Sequence, residues 1–224
     1  MTSLLSEFDP ITGQLVILEG STSVPAGQFE RNLEIKQAVL PDTLLTIEDQ
    51  GFAYTSNLEE IDFGNSLVSL GKESFFATFS LKNLTIPDSV EEIGDYAFQY
   101  GRSLNSITIG DSVTSIGKRA FSNGNVLNKL VLGDSLREIG ERAFYACPEL
   151  EVVSFPNSLR IIGASAFEGC SKLARISIPD STTYLGENAF ANTAIAEVRL
   201  PDQFRKNPPI LSLIHISEPT RPFH

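Results

Sequence analysis

The 224-residue chain has no tryptophan, one methionine, two histidines and two cysteines. Two cysteines in this length exclude a disulfide-dense scaffold. No apolar run approaches the ~18 residues of a membrane-spanning helix, so no helical insertion into a bilayer is expected. Residues 1–20 lack a basic start followed by an apolar stretch, so no secretory signal is visible. The location is left open by the sequence, with the cytoplasm favoured over export if Met1 is the true start. Basic side chains are outnumbered 17 to 28, for a formal charge of −11. An acidic surface of that kind repels a phosphate backbone, so no nucleic-acid partner is expected. The densest basic group, Arg102, Lys118 and Arg119, is too small for a nucleic-acid footprint. Hydrophobic residues make up 42%, too many for a disordered chain.

Both histidines, His215 and His224, fall in Leu211 to His224, LSLIHISEPTRPFH, which breaks with everything before it. Leu211 through Arg221 resembles one reading frame of a transposon-based sequencing adapter. The expectation is that 211–224 is adapter-derived and that 205–210 is the truncated end of a fragment. What remains has no histidine, so neither a Ser–His–Asp triad nor a Cys–His pair can be assembled.

What the chain has in abundance is a repeat. Leu81 to Phe98 reads LKNLTIPDSVEEIGDYAF, and Leu104 to Phe121 reads LNSITIGDSVTSIGKRAF. Leu127 to Phe144, Leu150 to Phe167 and Leu173 to Phe190 continue the pattern, while Ile35 to Phe52 and Leu58 to Phe75 fit with more drift. The leading apolar positions 35, 58, 81, 104, 127, 150 and 173 are each 23 apart, and Ile195 comes one residue early. Leu15, Ile17, Val24 and Phe29 sit one period before Ala38, Leu40, Ile47 and Phe52, a degenerate capping coil within 1–32. The repeats proper span 33–204. A fixed period of this size means a solenoid.

In L-x-x-I-x-I the last two apolar residues are two apart, the spacing of one face of a strand. Neighbouring coils would pair these strands in parallel about 4.8 Å apart. Pro or Gly then ends the strand, as at Pro41, Gly64, Pro87 and Gly110. Asp or Asn follows at 42, 65, 88, 111, 134, 157, 180 and 202, placed to accept from a backbone N–H two or three residues on. Gly71, Gly94, Gly117, Gly140, Gly163 and Gly186 supply a positive φ or a close approach between coils. The closing x-x-A-F reads as one turn of helix or 3₁₀, its Phe filling the core. A lone coil cannot fold: burying a side chain contributes roughly 1.5–3 kcal/mol, whereas ordering each residue costs about 1–2 kcal/mol. Stability must come from the interfaces between coils, giving one elongated cooperative domain.

The pattern L-x-x-I-x-I-P-x-S-V-x-x-I-G-x-x-A-F, closed by Cys, Thr or Gly three residues on, resembles the BspA-type leucine-rich repeat. The resemblance covers Ile35 to about Phe204. It implies a leucine-rich-repeat solenoid of about eight to nine 23-residue coils, with a parallel β-strand ladder and short helical or 3₁₀ turns. It also implies that the solvent side of the ladder is the recognition surface. One column there is Val39, Asp62, Thr85, Thr108, Val131, Ser154, Ser177 and Arg199; the other is Gln37, Glu60, Asn83, Ser106, Lys129, Val152, Arg175 and Glu197. Neither holds an aromatic residue, although aromatics are common interface anchors, and small β-formers simply suit an exposed sheet.

Other candidates have plainer explanations. Cys147 and Cys170 occupy one slot in adjacent coils, where Thr55, Thr78, Gly101, Gly124 and Thr193 stand elsewhere. Stacking would bring them within disulfide range, but a ladder of small buried thiols explains them as well, and zinc needs more N or S ligands. Asp88, Asp111 and Asp134, with Asn65 and Asn157, form a column that could be drawn as a calcium ridge. The calcium-binding repeat G-G-x-G-x-D is absent and turn capping accounts for the same residues. Tyr54, Phe76, Tyr100 and Tyr145 make a sparse aromatic stripe near the turn edge, for contact or for packing between coils. No catalytic, metal or cofactor site is expected. The reading is a non-catalytic binding or scaffold module for a protein partner. The alternatives are a fragment of a secreted or surface adhesin, and a targeting domain of a larger enzyme or receptor whose catalytic part is missing.

Overall fold

The computed structural model describes residues 4–205. Segments 206–210 and 211–224, with His215 and His224, lie outside the described residues. The chain is a parallel β-solenoid, and each coil has three sides. The first side carries the expected strands: Gln14–Ile17, Gln37–Val39, Glu60–Asp62, Asn83–Thr85, Ser106–Thr108, Lys129–Val131, Arg175–Ser177 and Glu197–Arg199. Partners are 23 residues apart, as in Ser106↔Lys129. At the shortened coil they are 22 apart, Arg175↔Glu197. An antiparallel strand, Ser6–Asp9, covers the first edge by pairing with Gln14–Ile17.

This first ladder lapses twice. Pairing is lost between Glu60–Asp62 and Asn83–Thr85, and again after Lys129–Val131, where only the bridge Val152↔Arg175 links the next two coils. Each lapse lies beside a phenylalanine, Phe63 or Phe155, at the inward position that Leu40, Ile86, Ile109 and Ile178 hold elsewhere. The two rings pack edge-on against Phe75 and Phe167, with centroids 5.7 and 5.5 Å apart. Each ring is larger than the leucine or isoleucine that fills this slot in the other coils.

The second side is another parallel ladder, which sequence reading did not anticipate. Eight two-residue strands, from Ser23–Val24 to Tyr184–Leu185, pair without a break. Strands that short offer a single inward residue, such as Ile93 or Ile116, and so no alternation to read.

The third side corrects the expectation of a helical or 3₁₀ turn in x-x-A-F. It is a stack of tight turns in which the residues two before and two after the core Phe adopt positive φ, as at Tyr96 (59°) and Tyr100 (63°). Between them, N–H groups point to the next coil: Tyr96, Phe98 and Tyr100 donate to the carbonyls of Lys118, Ala120 and Ser122. The only helix among the described residues is Asp202–Arg205. The i, i+4 spacing of Ile93 and Ala97 imitates a helical face, but alternating left-handed residues cannot propagate one.

Phe29, Phe52, Phe75, Phe98, Phe121, Phe144, Phe167 and Phe190 form a continuous column through the core, with centroids 5.0–5.4 Å apart. Phe121 lies between Phe98 and Phe144, as the register requires. Of the two roles open to the glycine column, the structure selects close approach. Gly94 and its equivalents have no positive φ, but a Cβ on Gly94 would stand 2.7 Å from the carbonyl carbon of Gly71. The Asp/Asn column caps a different donor from the one expected. Asp88 Oδ1 accepts from the backbone N–H of Asp111 at 3.0 Å, and Asp111 Oδ1 from that of Asp134 at 3.2 Å, each 23 residues on. These side chains tie coil to coil.

Candidate functional site

Two surfaces emerge from this geometry. The first is the outer side of the first ladder, where the anticipated columns stand in register. Gln37, Glu60, Asp62, Asn83, Thr85, Lys129, Ser154, Arg175, Ser177 and Arg199 are exposed, while Val39, Ser106 and Thr108 are half-buried. Val131 and Val152, next to the second lapse, are 44% and 59% exposed and supply apolar area to an otherwise polar face. Glu197 lies on the last strand, opposite Arg175. Glu60 and Asp62 stand toward one end of this face, and Lys129, Arg175 and Arg199, together with Glu197, toward the other. Shallow grooves run along this face, one spanning the first lapse and one between the bridged coils of Val152 and Arg175. One is lined by Asp62, Phe63, Thr85 and Thr108, the other by Val152, Ser154, Phe155, Arg175 and Ser177. The lapses were not legible in the columns, whose residues keep the 23-residue register through both of them.

The second surface is the turn face. The aromatic stripe noted in the sequence is in part a contact chain: Tyr54 and Phe76 are 5.2 Å apart, and Phe76 and Tyr100 5.5 Å. Arg31 stacks over Tyr54 at 5.3 Å and Arg142 over Tyr145 at 5.8 Å, pairings in which the cation meets the negative face of the ring. Tyr96, which sequence reading did not single out, joins this face from a left-handed position.

Electrostatics across the coils is mostly shallow. Lys118 Nζ donates to Glu141 Oε2 at 3.0 Å, and this bond holds the Glu141 carboxyl below its ordinary value of 4.5. Lys82 lowers Glu59 in the same way, and Glu149 raises Lys172. The two cysteines are free, buried thiols in adjacent coils. Cys147 and Cys170 donate to the carbonyls of Phe121 and Phe144, one coil back. A hydrogen bond with Cys147, together with burial, pushes the Cys170 thiol well above its usual range, which keeps it protonated. Among the described residues no three His, Cys, Asp or Glu side chains converge as metal ligands. No helix among them is long and apolar enough to cross a membrane.

Comparison with known proteins agrees with the architecture. The profile of the BspA type leucine rich repeat region matches residues 22–125 and 91–208. A leucine-rich repeat protein from Bacteroides ovatus is 30% identical over 83% of this chain, with a TM-score of 0.62. A leucine rich cell surface protein from Faecalibacterium prausnitzii is 28% identical over 82% of it, with a TM-score of 0.55. The chain spans 54% and 58% of the length of those two structures. The leucine-rich repeat protein of T. pallidum, 22% identical with a TM-score of 0.58, covers 93% of this chain with 92% of its own and shares the fold. No curated protein sequence matches. With the profile extending over nearly every coil and the ladders in its register, the chain belongs to the BspA-type leucine-rich repeat family.

Proposed function

We propose that this chain is a non-catalytic protein-interaction module that presents the outer side of its first ladder to a macromolecular partner. The observation that supports this most is the pair of grooves at Phe63 and Phe155, set among two rows of exposed side chains. A flat polar sheet gives a partner little to bury, whereas a groove lined by Val152 and Phe155 admits an apolar anchor. A photo-crosslinking residue at Thr85, Val131 or Ser177 tests the reading, with Thr114, beside the second-ladder strand Ser115–Ile116, as control. Crosslinks to one discrete partner protein from the first-ladder positions alone are expected. Equal labelling from Thr114, or none from the first ladder, would sink it. A second reading, part of a cell-surface adhesin, draws support from the likeness to the F. prausnitzii surface protein. Detection of the native protein on intact, unpermeabilised source cells separates the two.

A further inference from the structure

The turn face holds residues that its backbone does not favour. Each coil places two side chains there in the left-handed region, where glycine and asparagine are the least costly choices. Several coils make those choices, at Gly27, Asn123, Gly169, Asn188 and Asn192. Yet Arg31, Tyr54, Tyr96, Tyr100, Arg119 and Arg142 occupy the same slots with φ between 53° and 63°. Gln50, Glu73, Ala77, Ala146 and Ser165 share these slots as well, so what sets the coils of Phe98, Phe121 and Phe144 apart is that tyrosine and arginine fill four of their six left-handed places at a backbone cost. Of the chain's five tyrosines, Tyr54, Tyr96, Tyr100 and Tyr145 stand on this side, whereas the first-ladder columns contain none.

The charge of this face also departs from that of the chain. In the middle coils Lys118, Arg119 and Arg142 outnumber Asp95 and Glu141, on a protein whose formal charge is −11. The two carboxylates are already engaged: Asp95 Oδ1 accepts from the Lys118 backbone N–H at 2.7 Å, and Glu141 pairs with Lys118 and Arg142. Arg119 has no ion pair within 4 Å among the described residues. Tyrosine and arginine are the residues most enriched at binding hot spots, and arginine is suited to forked recognition of carboxylates.

We propose that the turn face of the middle coils, centred on Tyr96, Tyr100, Arg119 and Arg142, docks an extended acidic peptide segment of a partner protein. Carboxylates of the segment would meet the two guanidinium groups while its apolar side chains lie between the tyrosine rings. The inference goes beyond the first-ladder reading and does not depend on it.

Selection of a displayed random-peptide library against the full chain tests it. The expected result is enrichment of Asp- and Glu-containing peptides whose binding weakens with added salt. Tyr96→Asn and Arg119→Asn each copy the residue found in the same slot at 188. Each variant should lower binding of the enriched peptides about tenfold or more, and none should melt below the parent, since the backbone strain is relieved. Lys129→Glu with Arg175→Glu, on the first ladder, should leave that binding unchanged. The proposal is overturned if no acidic peptides are enriched, or if the turn-face variants still bind them. It is equally overturned if the tyrosine variant melts below the parent, which would make the ring a packing element. Peptides lost only in the first-ladder variant would also overturn it while supporting the other face.

Discussion

At the scale of single residues, the stack is governed by how closely two backbones pass. Gly94 has an ordinary φ, and the nearest atoms to a Cβ placed there belong to the backbone of Gly71 and Leu70. Backbone held in a ladder cannot yield as a flexible side chain would. Gly94→Ala is therefore expected to lower stability by about 1–3 kcal/mol, read as a shifted urea midpoint. An unchanged midpoint would mean that the coils can separate at that level without loss. Ser74 presents the opposite case. It is fully buried, and its hydroxyl has no hydrogen-bond partner among the described residues. Neighbouring coils place Ala97, Ala120, Ala143, Ala166 and Ala189 in the same slot. Ser74→Ala should raise stability by about 1 kcal/mol, because the desolvated hydroxyl no longer has to be accommodated. A lower melting temperature would show that the hydroxyl is satisfied in solution.

At the scale of the elements, coils are tied by contacts that recur at the repeat spacing, and most of the charged ones are partly wet. Lys118 and Glu141 have side chains 39% and 40% exposed, so solvent screens their attraction. The native state holds the Glu141 carboxyl below 4.5, its ordinary value, chiefly through the Lys118 bond. A carboxylate shifted in that direction adds stability above its unfolded pKa and loses it as the pH falls through the folded one. Glu141→Gln should thus cost about 0.3–0.5 kcal/mol at neutral pH, and the gap from the parent should close under acid conditions. Urea titrations of both proteins at the two pH values check this, and a gap that persists in acid would assign the loss to packing. The Asp and Ser columns act at this scale too. Ser89, Ser158 and Ser181 donate to the carbonyls of Leu67, Leu136 and Leu159, 22 residues back, so each turn is fastened to the preceding coil.

At the scale of the whole molecule, a stack of parallel strands exposes an unpaired edge at each end, and such edges invite pairing with other chains. The N-terminal end is closed by Ser6–Asp9, which runs antiparallel to Gln14–Ile17 and packs Phe8 against the core. A strand in that direction cannot serve as the next coil of the ladder. Removing residues 1–13 uncovers the parallel edge at Gln14–Ile17, and concentration-dependent self-association is expected. Sedimentation velocity over a range of concentrations reads it. A truncated chain that stays monomeric would show that the hairpin is dispensable for closing the stack.

The 23-residue spacing by itself determined that this is a solenoid, which residues point inward, and that Phe98, Phe121 and Phe144 form a column. Those properties depend only on period and hydrophobicity, which any one coil displays. The exposed columns of the first ladder were legible for the same reason, since strand alternation assigns their side. What a single coil cannot display was decided by stacking. The second ladder has strands too short to carry a period, and the turn side shows its left-handed residues only where N–H groups reach the next coil. The Asp column bonds 23 residues ahead rather than two or three, because stacking brings that N–H within reach. The lapses beside Phe63 and Phe155 show only in the stack, because strand pairing is a relation between two coils. Tyr96, Arg119 and Arg142 are 23 apart, so the period alone stacks them, but their left-handed backbone, like that of Tyr100, was decided by the turn they occupy.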